Sequence, residues 1–594
     1  MHIFHDSRDG AYRSPAGAQP CGARVRIRLR VTDGAPDSVL LRLWYGRESF
    51  LPMRPTAQDA SLYEAWLETP AEPCLLWYDF QVWAQGQFYW YGNAEDGLGG
   101  EGAPVYGEAR SFQMTVYAPG FQTPDWARGA VFYQIFPDRF APGGETERPE
   151  GRIYHASWDE TPLLCVDPDS GDNEAHDFFG GTLEGIRSKL PYLESLGVTA
   201  LYLNPIFYAS TNHRFDTVDW KRIDPLLGTE DDLRALCRDA AARGIRIILD
   251  GVFSHSGSEN PFFLQAREQP DSPYRNWYRF EQWPDMYKCW WGFPTLPDLD
   301  KNQPEVVRYF LSDADAVVKK WPLAGTDGWR IDVADELPMP YLRLLRAGVK
   351  GVKPEAMVLG EVWEDASHKV SYGQMRSYCL GDTLDGVMNY PLREAAIGFL
   401  TGALDAAGFK RRMDSLYENY PAPFANALLN IMGSHDRARC LNVLCGMDGE
   451  NLPREKRGGI RLSARQRALA KRRLCLLLEL TVAMPGMPCV YYGDEAGMEG
   501  AADPFSRAPF PWGREDEALT ALFRTALARK RTLPALSDGA LSIEAPLPDV
   551  VAVERRSETQ RAGVVINRSD RARRVTVFGR TQTLPPYGCA TWAE

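Results

Sequence analysis

From Ala130 to Glu495, eight short apolar runs alternate with helical stretches, and that count constrains the fold more than any other feature of the chain. The runs are "AVFYQIF", "VTALYLNPIF", "IRIILDGVF", "GWRIDV", "MVLGEV", "LDGVMNY", "ALLNIMGSHD" and "MPCVYYGDE". Amphipathic segments separate several of them. One is "TEDDLRALCRDAAARG", where Thr229 and Asp232 give a capping-box-like start; another is "QPEVVRYFLSDADAVVKKW", which reads as one helix. Eight strands, most followed by helices, predict a (β/α)8 barrel.

The barrel is expected over 123–525, with 256–301, rich in Trp, Pro and Asp, as an excursion after the third strand. Residues 1–122 carry short alternating runs such as "RVRIRLRV" and "LWYDFQVWAQGQFYWYG", a period of two that predicts an antiparallel β-sandwich. Residues 526–594 return to β-like runs, "VVAVERRS", "AGVVINRS" and "RVTVFG". The fold class is therefore α/β: a TIM barrel flanked by N-terminal and C-terminal β-sandwiches.

Composition removes several function classes. A net charge of -12 with no Lys/Arg run argues against a nucleic-acid partner. The most apolar stretch, "LCLLLELTVAMPGMPCVYY", is interrupted by Glu479, Pro485 and Pro488 and reads as core, so no membrane is expected. The opening "MHIFHDSRDG" lacks the apolar segment of a secretory signal. The 11 cysteines form no C-x-x-C pair and read as free thiols of a cytoplasmic protein.

In a barrel of this kind, catalytic groups gather at the C-terminal ends of the strands. Asp250 ends "IRIILD", Asp332 nearly ends "GWRID", Glu361 ends "MVLGE", and His435 and Asp436 follow "ALLNIMGS". In a strand, Arg330 and Asp332 share one face. Taken alone, R-x-D reads as a structural ion pair, because a buried charge needs a partner. Four strands delivering carboxylates to one rim shift that reading, since crowded like charges are retained mainly where chemistry needs them.

The stretches "DGVFSH", "GWRIDVADE", "GEVW" and "GSHD", in this order, resemble the four signature regions of the α-amylase family of glycoside hydrolases (family 13). "LPDLD" and "GMPCVYYGDEAGMEG" agree with it, and the resemblance spans roughly residues 125 to 515. "HRFDT", "FFGGTLEGI", "VADE", "GEVWED", "LDGVMNYPL" and "DPFSR" are most similar to the neopullulanase, cyclomaltodextrinase and maltogenic amylase group.

The resemblance implies a retaining α-glucan hydrolase acting on α-1,4 and also α-1,6 links of maltooligosaccharides, cyclodextrins or pullulan. A transglucosylase using the same intermediate is the alternative. A non-catalytic carbohydrate-binding or transporter-associated relative is remote, because that reading expects a broken triad. Asp332 is the expected nucleophile, its charge stabilised by Arg330; Glu361 is the acid/base; Asp436 is the third acid, holding sugar hydroxyls. His255 and His435 match residues that bond hydroxyls of the scissile sugar, and Asp250 is expected to orient Arg330. His213 and Phe215 correspond to a histidine and an aromatic platform, with Phe215 standing where most relatives carry tyrosine. Trp363 is expected to form an aromatic wall on the leaving-group side, and Asp503 with Arg507 a polar clamp on the other. Trp290 and Trp291 are further stacking candidates.

Further positions depart from the family pattern. Several relatives bind calcium through Asn and Asp after the first strand and an Asp in F-F-G-G-D; here the stretches read "DRFAPGGETERPEG" and "FFGGTL", with Thr182, so no calcium or other cofactor is expected. Arg437 stands where relatives often carry threonine, and Asp335 where the nearest group usually has asparagine. The resemblance leaves starch binding and homodimer formation both open for the N-terminal domain.

Overall fold

The eight apolar runs form eight parallel strands: β1 (Phe132–Ile135), β2 (Ala200–Leu203), β3 (Arg246–Gly251), β4 (Gly328–Ile331), β5 (Met357–Gly360), β6 (Gly386–Val387), β7 (Leu429–Ile431) and β8 (Met487–Tyr491). Neighbours in sequence pair along the sheet, β8 pairs back onto β1 with Phe132 opposite Cys489, and a bridge from Met388 to Leu429 joins the β6 edge to β7. The ring is thereby closed. This computed structural model describes residues 1–105, 107–165 and 175–594.

The barrel centre is filled by side chains from alternate strand positions, among them Phe132, Tyr202, Ile248, Met357, Leu359, Leu429 and Met487, all buried. Burying each such side chain stabilises the fold by roughly 1.5–3 kcal/mol. Close strand contact also dictates one residue type at the start of β4. Gly328 has φ +148°, and a Cβ there would lie 2.1 Å from the Met357 carbonyl oxygen, so only glycine lets β4 sit against β5.

The chain divides into two compact units. The larger comprises Pro124–Trp363, Gly386–Ala406 and Asn426–Glu594 and holds the barrel. Its excursion after β3 contains a helix (Pro261–Glu268) and a short hairpin (Phe280–Gln282 with Met286–Tyr287). Its C-terminal strands form a four-stranded antiparallel sheet and a hairpin (Arg573–Val577 with Arg580–Leu584), packed around Val550, Ala552, Val565, Val575 and Val577. "TEDDLRALCRDAA" starts as expected, with the Thr229 side chain and Asp232 capping each other's backbone.

The stretch 303–321 is not one helix. It breaks into a helix at Pro304–Val307, a wider turn at Arg308–Ser312 and a second helix at Val317–Ala324, with Asp313 extended between them. Ser312, Asp313 and Asp315 favour caps and turns over helix interiors, and here local chemistry overrides the amphipathic period.

The smaller unit is Met1–Thr123 with Glu364–Asp385 and Ala407–Ala425. Its strand Arg24–Thr32 alternates as its sequence does, burying Val25, Ile27, Leu29 and Val31 and turning the arginines outward. Two sheets, antiparallel except for one parallel pair (Val116 opposite Gln19), close around these residues and around Leu41, Tyr78, Phe80 and Met114. Glu418 ties the later segment in: its carboxylate accepts from Ser7 (2.7 Å), Arg8 (2.8 Å) and the buried Arg13 (3.1 Å).

Candidate active site

Arg330 lies fully buried in β4 and holds three carboxyls that come from three strands. Its NH1 donates to Asp250 Oδ1 at 2.7 Å and Asp332 Oδ1 at 2.8 Å, and its NH2 faces Glu361 Oε2 at 3.0 Å. Asp250 is anchored from its other oxygen by the Tyr202 hydroxyl at 2.6 Å. Sequence alternation thus put Arg330 and Asp332 together, and the ring of strands added the rest. Removing Arg330, the one cation these three carboxyls share, would cost about 3–5 kcal/mol, because it strands the remaining charge.

One guanidinium does not neutralise this rim. Burial pushes the Asp332 carboxyl well above its ordinary range; Arg330 pulls it down, while Glu361, Asp250 and Asp436 push it up. Asp250 is pushed up to about 6, first by burial, against the pull of Arg330. Asp436 is also raised by burial, against Arg330 and Arg507. Arg330 does stabilise the Asp332 charge, as expected, but it works against burial and three neighbouring acids. Desolvation outweighs one cation shared among several acids.

Glu361 has its two oxygens in different surroundings. Oε2 accepts from the Val333 backbone N–H at 2.9 Å and faces Arg330; Oε1 accepts only the Trp363 indole N–H, at 3.0 Å. A transferable proton consequently belongs on Oε1, whose second lone pair has no donor among the described residues. Val333 reaches this position through φ 37° and ψ 59°, a conformation that a β-branched residue adopts only under strain.

The histidines are neutral by construction. His435 Nδ1 accepts from the side-chain amides of Gln134 (2.9 Å) and Asn204 (3.2 Å), which leaves Nε2–H to face Asp436 Oδ1 at 3.1 Å. Burial, then Arg507 and Arg330, holds His435 well below the usual imidazole range. His213 Nδ1 accepts from the Phe215 N–H at 3.1 Å, and burial followed by Arg507 lowers this group too. His255 is lowered to about 4 by burial and Lys301; its Nδ1 pairs with the Ser254 hydroxyl at 2.7 Å, and its Nε2 makes no hydrogen bond of good geometry among the described residues.

Phe215 lies parallel to His435, with centroids 5.2 Å apart and planes at 6°. Arg507 pairs with Asp503 at 2.8 Å and donates to the His435 carbonyl oxygen at 3.1 Å, so the clamp residues lie beside Asp436. Trp290 packs near His255, with centroids 5.7 Å apart, and backs Trp291 at 5.7 Å. Trp291 is 77% exposed, with φ 48°, and its indole N–H donates to Glu336 at 3.3 Å.

Several members of this constellation were not singled out from sequence. Gln134 had a readable signal, a polar residue inside "AVFYQIF"; so did Asn204 in "ALYLNPIF". Tyr202, Tyr390 and the Val333 amide had none, because an aromatic or apolar residue in an apolar run reads as packing.

The polar groups after β1 and around Thr182 have partners within the protein. The Thr182 hydroxyl donates to the Gly143 carbonyl at 2.6 Å and accepts the Gly185 N–H at 2.9 Å. Asp138 accepts from Arg139 Nε (2.7 Å) and the Phe179 and Gly180 amides (3.1 Å each), and the buried Arg139 also faces Asp177 at 3.3 Å. An arginine thus supplies the positive charge there. Among the described residues no group of three or more His, Cys, Asp or Glu is arranged to hold a metal, and the residues do not fit calcium.

Comparison with known proteins agrees with this arrangement. The family described as "Alpha amylase, catalytic domain" matches residues 134–532. The amylopullulanase of Thermoanaerobacter thermohydrosulfuricus is 35% identical over 614 residues, covering 93% of this chain and 40% of that protein. The chain spans between about a third and a half of the length of the first amylopullulanases it matches. Neopullulanase 2 of Thermoactinomyces vulgaris is 33% identical over 619 residues, covering 100% of this chain and 94% of that one. Among solved structures, the cyclic alpha-maltosyl-(1→6)-maltose hydrolase of Arthrobacter globiformis superposes with a TM-score of 0.68 at 33% identity, covering 80% of this chain and 99% of that one. The eight-stranded barrel, the carboxyls gathered on Arg330 and these matches together place the chain in the α-amylase family.

Proposed function

We propose that this chain is a retaining α-glucan hydrolase that cleaves α-1,4 links, and also α-1,6 links, in maltooligosaccharides, cyclodextrins or pullulan. The observation that carries the reading is the bridge of Arg330 to both Asp332 and Glu361. Two carboxyls held by one guanidinium fit the spacing of about 5 to 5.5 Å of a retaining pair better than the wider gap of an inverting one. Asp332 attacks the anomeric carbon as its bond to the leaving oxygen breaks, and the proton on Glu361 Oε1 moves to that oxygen. Glu361, now a carboxylate, takes a proton from water, whose oxygen displaces Asp332. Asp436 and the Nε2–H of His435 bond hydroxyls of the sugar that carries the developing positive charge.

Relatives named amylopullulanase and neopullulanase support this substrate class. Trp291, exposed and tied to Glu336, also supports a sugar acceptor in place of water, the transglucosylase reading. The test is a panel of maltotriose, β-cyclodextrin and pullulan, with products separated by chromatography and their anomers followed by NMR. Release of α-anomers is expected and longer products mark transfer; β-anomers or no release overturn the reading.

No described helix is long and apolar enough to cross a membrane. All 11 cysteines are free thiols, which supports a cytoplasmic location; a matured extracellular form would count against it. We propose that the enzyme works without calcium, so excess EDTA is expected to leave rate and melting midpoint unchanged. Exposed Trp44, Phe50, Trp66, Trp83 and Phe88 on the N-terminal unit support a homodimer through that unit. Sedimentation at micromolar concentration is expected to give twice the monomer mass, and a monomer refutes it.

A further inference from the structure

Trp363 has protein partners at its ring and at its indole nitrogen. Its ring lies parallel to buried Tyr390, with centroids 4.5 Å apart and planes at 11°. The Arg437 guanidinium carbon lies 4.5 Å from the same indole, within cation–π range. The indole N–H, meanwhile, donates to Glu361 Oε1 at 3.0 Å. The side chain expected to form a wall for the leaving sugar is thus also engaged by protein, at its ring by Tyr390 and Arg437 and at its polar edge by Glu361, while 38% of it stays exposed.

We propose that Arg437 is a positioning residue for the acid/base, acting through Trp363. It clamps the indole against Tyr390, and the clamped indole fixes the rotation of the Glu361 carboxyl. This deepens the hydrolase reading above and rests on it. Oε2 is already held by Val333 and Arg330, so the plane of the carboxyl is set by where Trp363 places its N–H. That plane decides whether the proton on Oε1 points at the leaving oxygen. A misplacement near 1 Å can lower a rate by about 100-fold, so a modest slackening of the indole is visible in kcat.

Arg437 is itself held from two directions. Its NH2 lies 3.6 Å from Glu394, on the helix Tyr390–Thr401, and its NH1 3.5 Å from Glu450. Each of these pairs involves a half-exposed glutamate and is weak in itself. Their use is directional: they hold the guanidinium plane over the indole. Arg437 also follows Asp436 in the chain, so one turn after β7 delivers a sugar-binding acid and the clamp for the proton donor together. A threonine at 437 could not reach the indole as a cation, which makes this a property of the present sequence.

The test compares maltotriose with α-maltosyl fluoride, whose leaving group departs with little help from an acid. Wild-type turnover of both is measured first; absence of turnover on either refutes the hydrolase reading before any variant is made. Arg437→Ala is then expected to lower kcat on maltotriose about tenfold with KM changed less than about twofold, and to lose less than about twofold in kcat/KM on the fluoride, which reads the first step alone. Trp363→Phe, which keeps the stack and removes the N–H, is expected to show the same contrast. Arg437→Lys, which keeps a cation over the ring, is expected to recover most of the loss. Equal losses on both substrates overturn the proposal, as does a rise in KM at constant kcat, which would make Arg437 a sugar-binding residue. Trp363→Phe at wild-type rate on maltotriose also overturns it. The Phe and Lys variants keep the test decisive if the Ala variant does not fold.

Discussion

Asp332→Asn is expected to lower kcat on maltotriose by at least about 10⁴-fold while leaving the protein folded and more stable at neutral pH. The rate loss follows because no other carboxylate can form the bond to the anomeric carbon: Asp250 is tied by Tyr202 and Arg330, and Glu361 is the proton donor. The gain in stability follows from burial. Asp332 is raised in the folded protein above its unfolded value of about 3.9, so the folded state binds the extra proton between those two values. Wild-type stability therefore falls as pH rises through that window, whereas the amide has nothing to titrate. The advantage of the variant should vanish toward pH 4 and amount to about 1 kcal/mol at pH 7, the usual scale for relieving an active-site group. Arg330 keeps Asp250 and Glu361, so no uncompensated cation is created. Thermal melts at pH 4 and pH 7 with kcat on maltotriose check both halves; a lower midpoint at pH 7 contradicts the account.

Glu361→Gln is expected to lower kcat on maltotriose by about 10²–10⁴-fold and to act far less on the first step with α-maltosyl fluoride, read as kcat/KM. The amide can accept the Trp363 N–H as the carboxyl oxygen does, so the surrounding geometry should persist. What is lost is the proton for the leaving oxygen. In the second step, the same variant lacks a base, so the glycosyl-enzyme formed from the fluoride should accumulate and be seen as added mass on the intact protein. Added azide, which needs no base, should then speed turnover and yield a glycosyl azide. Loss of equal size on both substrates would remove Glu361 from the acid role.

The barrel was legible because buried parallel strands leave a plain mark. All eight apolar runs became the eight strands, and the alternation in "RVRIRLRV" predicted which of its residues are buried. The strand-end acids were legible for a related reason: a carboxylate at the end of an apolar run has few structural uses. The segment 303–321 was misread as one helix because "SDAD" supplies turn chemistry inside an amphipathic pattern. The aromatic residues were legible as aromatic and no further. Trp363 is where its motif put it, yet whether an indole meets a sugar or an arginine depends on chain segments far away in sequence.

The sequence by itself determined the strand count, the face shared by Arg330 and Asp332, and the delivery of Asp250, Glu361, His435 and Asp436 to strand ends. These are local consequences of period and position. The tertiary structure decided what those groups are to one another. It bound three carboxyls to one guanidinium, made burial outweigh that cation at Asp332, and set His435 as a neutral donor through Gln134 and Asn204. It also turned Trp363 toward Glu361 under Arg437. Desolvation and hydrogen-bond direction depend on every neighbour in three dimensions, and no spacing along the chain encodes them.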